Sequence, residues 1–226
     1  MSTTTIHGVR LSREALVTTI ATRMADHEWA FQGAVTAPAA WADAEDNGDL
    51  DVWVHPASQQ AIDDVLRSLG GVIVCSAMDP ARLCHVQWWL PTAGTARDGG
   101  IVDVTVGDLR VGPLLLLAAD SVETASSHCL MPSGVLSVRR FAGTAAVLDL
   151  TVRPLLRGRL VEGERLAAAR VAFAVLEPLR HTELRRALHT ALGRKGQTLA
   201  QAWLHGEVGA DARARALVPM ARRRLV

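Results

Sequence analysis

Two aspartates stand two residues apart in "GDLDVWV" (Gly48–Val54), and a third stands in "IVDVTVGDLR" (Ile101–Arg110). On a β-strand, residues i and i+2 face the same side. Asp49 and Asp51 therefore project together, while Leu50, Val52 and Val54 turn the other way. Two bare carboxylates this close repel, and one keeps a proton unless a cation sits between them. Hard divalent ions such as Mg²⁺ or Mn²⁺ take oxygen ligands of this kind and fill the remaining positions with water and substrate phosphates. Ions held this way can clamp the attacking and leaving oxygens of a phosphoryl or nucleotidyl transfer. Asp103 follows the same in-and-out logic, with Thr105 beside it and Val102, Val104 and Val106 opposite. If its strand lies next to the first, three carboxylates converge. The bland alternative is a solvated tight turn, for which "DNGD" is well suited. A calcium loop starting at Asp43 fails, because its twelfth position is Val54 where a bidentate Glu is needed.

The surrounding pattern supplies elements to hold these acids. Residues 11–26 have helical apolar spacing, with Ser12 as the cap. "EWAFQGAV" (Glu28–Val35) reads as a first strand ending at Gly33, and "TAPAAWADAEDNG" as a loop. "DLDVWVH" is a second strand. A helix starts at Pro56 and stops at Gly70–Gly71. "VIVCSAM" and "RLCHVQWWLP" are β-rich and expected to pair, and "GGIVDVTVGD" is a further strand. Beyond Leu114 the Ala/Leu/Arg-rich stretches, "VRRFAGTAAVLDLTVRPLLRGRL" included, have a helical pattern. The expected fold class is α/β (α+β): a small mixed sheet with flanking helices over residues 1–118, then a helical region over 119–226 packed on it.

Composition narrows the setting. The 226 residues are 49% hydrophobic, enough for a substantial core, and carry a net charge of +1. Residues 1–108 hold 14 acidic and 6 basic side chains, and residues 109–226 hold 9 and 18. An acidic half facing a basic half suits a metal–phosphate site. Three cysteines in no disulfide pattern, no apolar leader and no long apolar run lead us to expect a reduced, cytoplasmic protein away from membranes. Arginine almost to the exclusion of lysine points to a GC-rich genome.

Taken together, "FQGAV" (Phe31–Val35), "GDLDVWV", "IVDVTVGDLRVG" (Ile101–Gly112) and "LTVRPLLRGRLVEG" (Leu150–Gly163) resemble, in order, the motifs of the nucleotidyltransferase superfamily. That fold is shared by polymerase-β-like and aminoglycoside nucleotidyltransferases. The nearest resemblance is to nucleotidyltransferase-like proteins of bacterial polysaccharide and natural-product gene clusters, over residues 28–165. The resemblance implies Mg²⁺-dependent transfer of a nucleoside monophosphate from an NTP to a hydroxyl of a small molecule or peptide, with release of pyrophosphate. It implies that Asp49 and Asp51 hold the metals, and that Asp103 is the third carboxylate and the base. It implies that the backbone approaches the triphosphate at Gly33, and that Gly48, which opens the Asp-Leu-Asp strand, is a nucleotide-binding residue with it. The sequence has Gly33–Ala34 where the superfamily has Gly-Gly or Gly-Ser, and Leu109 where it has Tyr. These departures leave room for the alternative: a non-catalytic binding module of the same fold, serving a biosynthetic pathway or a toxin–antitoxin pair.

Further residues are candidates by type. Arg153 and Arg157, one helical turn apart, could receive phosphates, as could Arg110 (Arg forks match phosphate oxygens). Each could equally be a solvated cation. His55 continues the face of Asp51. Trp88 and Trp89 straddle a strand, so one could stack on a base while the other packs. Cys84–His85 and His128–Cys129 lack zinc-ligand spacing and read as structural. The arginine-rich tail has no interleaved aromatics, which argues against nucleic acid as a partner. No P-loop, nucleophile elbow or dinucleotide fingerprint occurs, and a phosphohydrolase on the same acids lacks a nucleophile motif.

Overall fold

In the computed structural model, the described residues are 11–33, 37–42, 49–79, 83–92, 99–111 and 113–225. Helix α1 (Arg13–Arg23) starts where Ser12 Oγ accepts from the Ala15 amide at 3.1 Å, the cap its sequence promised. Strand β1 (Trp29–Phe31), helix α2 (Ala37–Ala42) and strand β2 (Leu50–Val54) follow. Pro56 opens a 3₁₀ turn that leads into α3 (Gln59–Ser68), and Gly70, at φ 80°, ends it in the left-handed region. Next come β3 (Val72–Asp79), β4 (Leu83–Pro91), β5 (Gly99–Val106), the short pair β6 (Leu109–Val111) and β7 (Leu114–Leu117), and the hairpin β8 (Thr124–Met131) and β9 (Gly134–Phe141). The chain then turns helical: α4 (Gly143–Val147), a π-helical turn over Leu148–Val152, α5 (Arg153–Leu156), α6 (Gly163–Ala174), α7 (Pro178–Leu204), α8 (Ala210–Ala214) and α9 (Leu217–Arg222).

The main sheet has seven strands in the order β3-β4-β5-β2-β1-β9-β8. Two neighbouring pairs run parallel, β2 with β5 and β1 with β9, and the others are antiparallel. Alternation along the strands feeds two cores. Leu50, Val52 and Val54 of β2 and Val102, Val104 and Val106 of β5 pack with α1 and α3 on one face. Ala30 and Trp53 face the opposite side and join the core of the helical C-terminal half. The mixed α/β sheet with flanking helices and further helices at the C-terminus is the architecture the sequence led us to expect.

Three local expectations differ. Residues 37–42, expected as loop, form α2, because Trp41 is buried (1% exposed) under Arg13, whose guanidinium lies over its ring. The region over 119–226, expected as helical, opens instead with β8 and β9, which join the main sheet, and Val138–Phe141 belong to β9. A tight turn at Met131–Gly134 folds β9 back on β8, and the ladder they share outweighs the helix-forming composition that follows. The helical run therefore begins at Gly143. Finally, α7 is two helices joined across a kink at Gly193, whose φ of 72° and ψ of 175° are not helical.

Candidate active site

Parallel pairing of β2 and β5 places Asp51 directly beside Asp103. Asp49, one residue before β2, shares their side of the sheet and interacts electrostatically with both. Burial pushes the Asp49 carboxyl above the usual aspartate range, and the charges of Asp103 and Asp51 add to this, while His85 opposes it. Asp103 is also raised, first by burial. His85, a hydrogen bond with Gln87 and the charge of Arg157 oppose that shift, and Asp51 adds to it. His85 Nε2 stands 3.7 Å from Asp103 Oδ2, whereas Asp103 Oδ1 is buried and has no hydrogen-bond partner. Trp53, on the same strand face as Asp51, does not block this mouth. It lies in the core against Phe141 and donates from Nε1 to the Gly107 carbonyl at 2.6 Å.

The helical half faces the acids with cations. Arg153 lies between two carboxylates: Nη2 is 3.6 Å from Asp51 Oδ1 and Nη1 is 3.3 Å from Asp149 Oδ1. Burial and repulsion by Arg153 lower the Arg157 pKa, an effect Asp51 and Asp149 offset. A polar cavity of about 130 Å³ is lined by Asp51, Asp149, Gly33 and the arginines 153, 157, 159 and 165. A second, of about 260 Å³, lies beyond Arg153 and Arg157 and is bordered by His85, Thr105 and Arg110. Acids and arginines thus meet in the cleft between sheet and helical half.

Gly33 closes the end of β1. Its φ of 86° suits glycine, and a Cβ there would stand 3.1 Å from Arg165 Nη2. Its amide donates to Asp149 Oδ2 at 2.6 Å, and its carbonyl accepts from Arg140. Arg110 pairs with Asp108 at 2.9 Å, and the other Asp108 oxygen caps the Ala119 amide at 3.1 Å, so Asp108 orients rather than faces the cleft. Gly48 lies outside the described residues. His55 is drawn away to Asp120 (3.2 Å) and Glu28 (3.6 Å). Trp88 is buried beneath Arg67, and Cys129 is buried beside Met131. Sequence reasoning missed Asp149, Arg140 and Arg165, and took His85 for a structural residue. The one available signal was an acid, Asp149, four residues ahead of Arg153 inside an apolar run.

The carboxylates have the donor chemistry of a hard divalent ion, and the orphaned Asp103 Oδ1 is an unclaimed ligand atom. Among the described residues, no group of three or more His, Cys, Asp and Glu side chains stands close enough to hold a metal ion by itself. Mg²⁺ does not need such a cage: it is commonly held by one or two carboxylates, with water and phosphate oxygens completing the shell.

No family model matches the chain, and no curated protein matches it. Among solved structures it is similar to the antibiotic-resistance factor ANT(2'')-Ia, at 15% identity with a TM-score of 0.36, over 90% of this chain and 97% of that one. At that level of likeness, function has to be read from the side chains of the site. Among the described residues, no helix is long and apolar enough to cross a membrane.

Proposed function

We propose that this chain is a nucleotidyltransferase that moves a nucleoside monophosphate from an NTP to a hydroxyl of a small molecule or peptide. The observation that carries this reading is the register of Asp51 against Asp103, with Asp51 itself in the wall of a cavity that four arginines also line. Acids alone would be a solvated turn, and arginines alone a basic patch. Side by side they suit the two ends of a metal–triphosphate.

The adjacent pair Asp51 and Asp103 would hold Mg²⁺ or Mn²⁺, with Asp49 adding negative charge beside them, and the ion when bound supplies charge to offset that developing on the transferred group. Arg153, Arg157 and Arg159 receive the β- and γ-phosphates, Arg153 from a partly buried position and Arg157 and Arg159 from exposed ones. Arg110 borders the adjoining cavity and supports the far side. The acceptor oxygen attacks the α-phosphorus as its proton passes to Asp103. The bond from that phosphorus to the bridging oxygen breaks, and pyrophosphate leaves with the electron pair. A carboxylate whose pKa is raised by burial is a stronger base than a solvated one, which suits Asp103 to the role.

A non-catalytic module has one observation in its favour. The Gly33 amide already donates to Asp149, so this backbone donor is engaged without phosphate. Transfer from each of the four α-labelled NTPs, with Mg²⁺ and a bacterial small-molecule extract as acceptor, separates the two. The transferase reading expects label in an acceptor, matched by pyrophosphate and lost in Asp51→Asn. Absence of transfer from every NTP, with the protein folded, favours the module.

A further inference from the structure

A third cavity, of about 350 Å³, adjoins the arginine cavity through Gly33 and Asp149 but lies on the other side of them, away from Asp103. It sits between the ends of β1, β8 and β9 and the helices α4 and α6. Its volume falls within the range of small-molecule sites. Small side chains leave the space open: Ala125 and Ser126 on β8, Ala146 on α4, and Ala168 and Ala172 on α6. Phe31, Phe141 and Leu150 supply its apolar wall. Val171, 67% exposed, stands at its border, so the space opens to solvent.

One charged side chain in this wall is nearly sealed from water. Arg140 is 8% exposed, and its Nη1 is buried without a hydrogen-bond partner. Its other terminal nitrogen is bound to the Gly33 carbonyl. The neighbouring anion, Asp149, is engaged elsewhere: one oxygen accepts from the Gly33 amide at 2.6 Å and the other faces Arg153 at 3.3 Å. Burial lowers the Arg140 pKa, and the nearby charge of Asp149 offsets this only in part. A buried charge left incompletely paired calls for an explanation. A cation shielded from solvent acts strongly on an anion placed beside it, because no water screens the pair. The three smaller features (an apolar wall, an open mouth and an unscreened cation) specify one kind of occupant.

We propose that this cavity is a ligand site for a small amphipathic anion, an aliphatic or aromatic body carrying one carboxylate or similar group, anchored electrostatically by Arg140. The apolar body lies along Phe31, Phe141 and Leu150. The anionic group lies on the Arg140 side. No nucleotide or metal is involved, so this site stands or falls independently of nucleotidyl transfer.

The test is calorimetric titration of the full chain with octanoate and, separately, with 1-octanol, in the absence of nucleotide. Octanoate is expected to bind at one site per chain, at least tenfold more tightly than octanol. Ala172→Phe, which fills the cavity from α6, should abolish octanoate binding. Ala174→Phe, exposed on the same helix outside the cavity, should leave it unchanged. Arg140→Gln should weaken octanoate at least tenfold and leave octanol unaffected. Equal affinity for the two probes, full octanoate binding to Ala172→Phe, or no binding of octanoate to the wild type would each overturn the proposal. Because the probe comparison and Ala172→Phe leave Arg140 in place, the test holds even if Arg140→Gln fails to fold.

Discussion

Replacing Asp149 should be among the most damaging single changes in the chain. Its side chain is nearly fully buried on the π-helical turn, where it accepts from the Gly33 amide and faces Arg153. Asp149→Ala leaves a buried N–H without an acceptor and leaves Arg153 with only its more distant partner, Asp51. Removing one partner of a buried ionic pair costs about 3–5 kcal/mol. Asp149→Asn keeps an oxygen for the Gly33 amide and loses only the charge. Its cost should be smaller, about 1.5–3 kcal/mol, the worth of a hydrogen bond to a charged group. Urea unfolding followed by tryptophan fluorescence reads this directly, because Trp29, Trp41, Trp53, Trp88 and Trp203 are all buried. With a slope of about 2 kcal/mol per molar, the Ala variant should lose about 1.5–2.5 M in midpoint and the Asn variant about half of that. An Ala midpoint within about 0.3 M of the wild type would refute the reasoning, since a shift that small is under 1 kcal/mol at this slope. It would mean that Asp149 neither satisfies Gly33 nor balances the arginines.

Other consequences follow from the same geometry. The folded state holds the Asp103 proton to higher pH than the unfolded chain does, so stability is lost as pH rises from the ordinary aspartate range through the raised pKa. Asp103→Asn should therefore be more stable than the wild type at neutral pH and no more stable at pH values below that window, as thermal melts across pH would show. Trp53→Phe loses the bond to the Gly107 carbonyl, and should cost about 1 kcal/mol for the bond plus the lost packing, in the same urea assay. Gly33→Ala forces a side chain into positive φ beside Arg165, and should cost about 1–3 kcal/mol in melts while weakening Mg²⁺·NTP binding in calorimetry.

The central feature of the site was legible because it depends on strand periodicity. Alternation in "DLDVWV" and "VDVTV" assigned one face to acids and the other to valines, and the structure adds the parallel register that sets Asp51 against Asp103. The arginines at 153 and 157 were legible as a helical pair, although only the fold could show that they face the acids. Asp149 and Arg140 were not legible. An acid inside "AVLDLTV" reads as a poor helix residue until β1 brings Gly33 against it, and "VRRF" reads as helical until the β8–β9 hairpin is formed. His85 was missed because its partner lies on the neighbouring strand rather than nearby in sequence. Long-range pairing made these residues functional candidates, and no local spacing encodes it.

The most direct measurement is calorimetric titration of the wild type and of Asp51→Asn with ATP, GTP, CTP and UTP, each with and without Mg²⁺. Binding of an NTP that requires Mg²⁺ and is lost in Asp51→Asn is the expected result. Absence of binding by every NTP to the folded wild type, or equal binding with and without Mg²⁺ and in the variant, would contradict a metal–triphosphate site at Asp51 and Asp103.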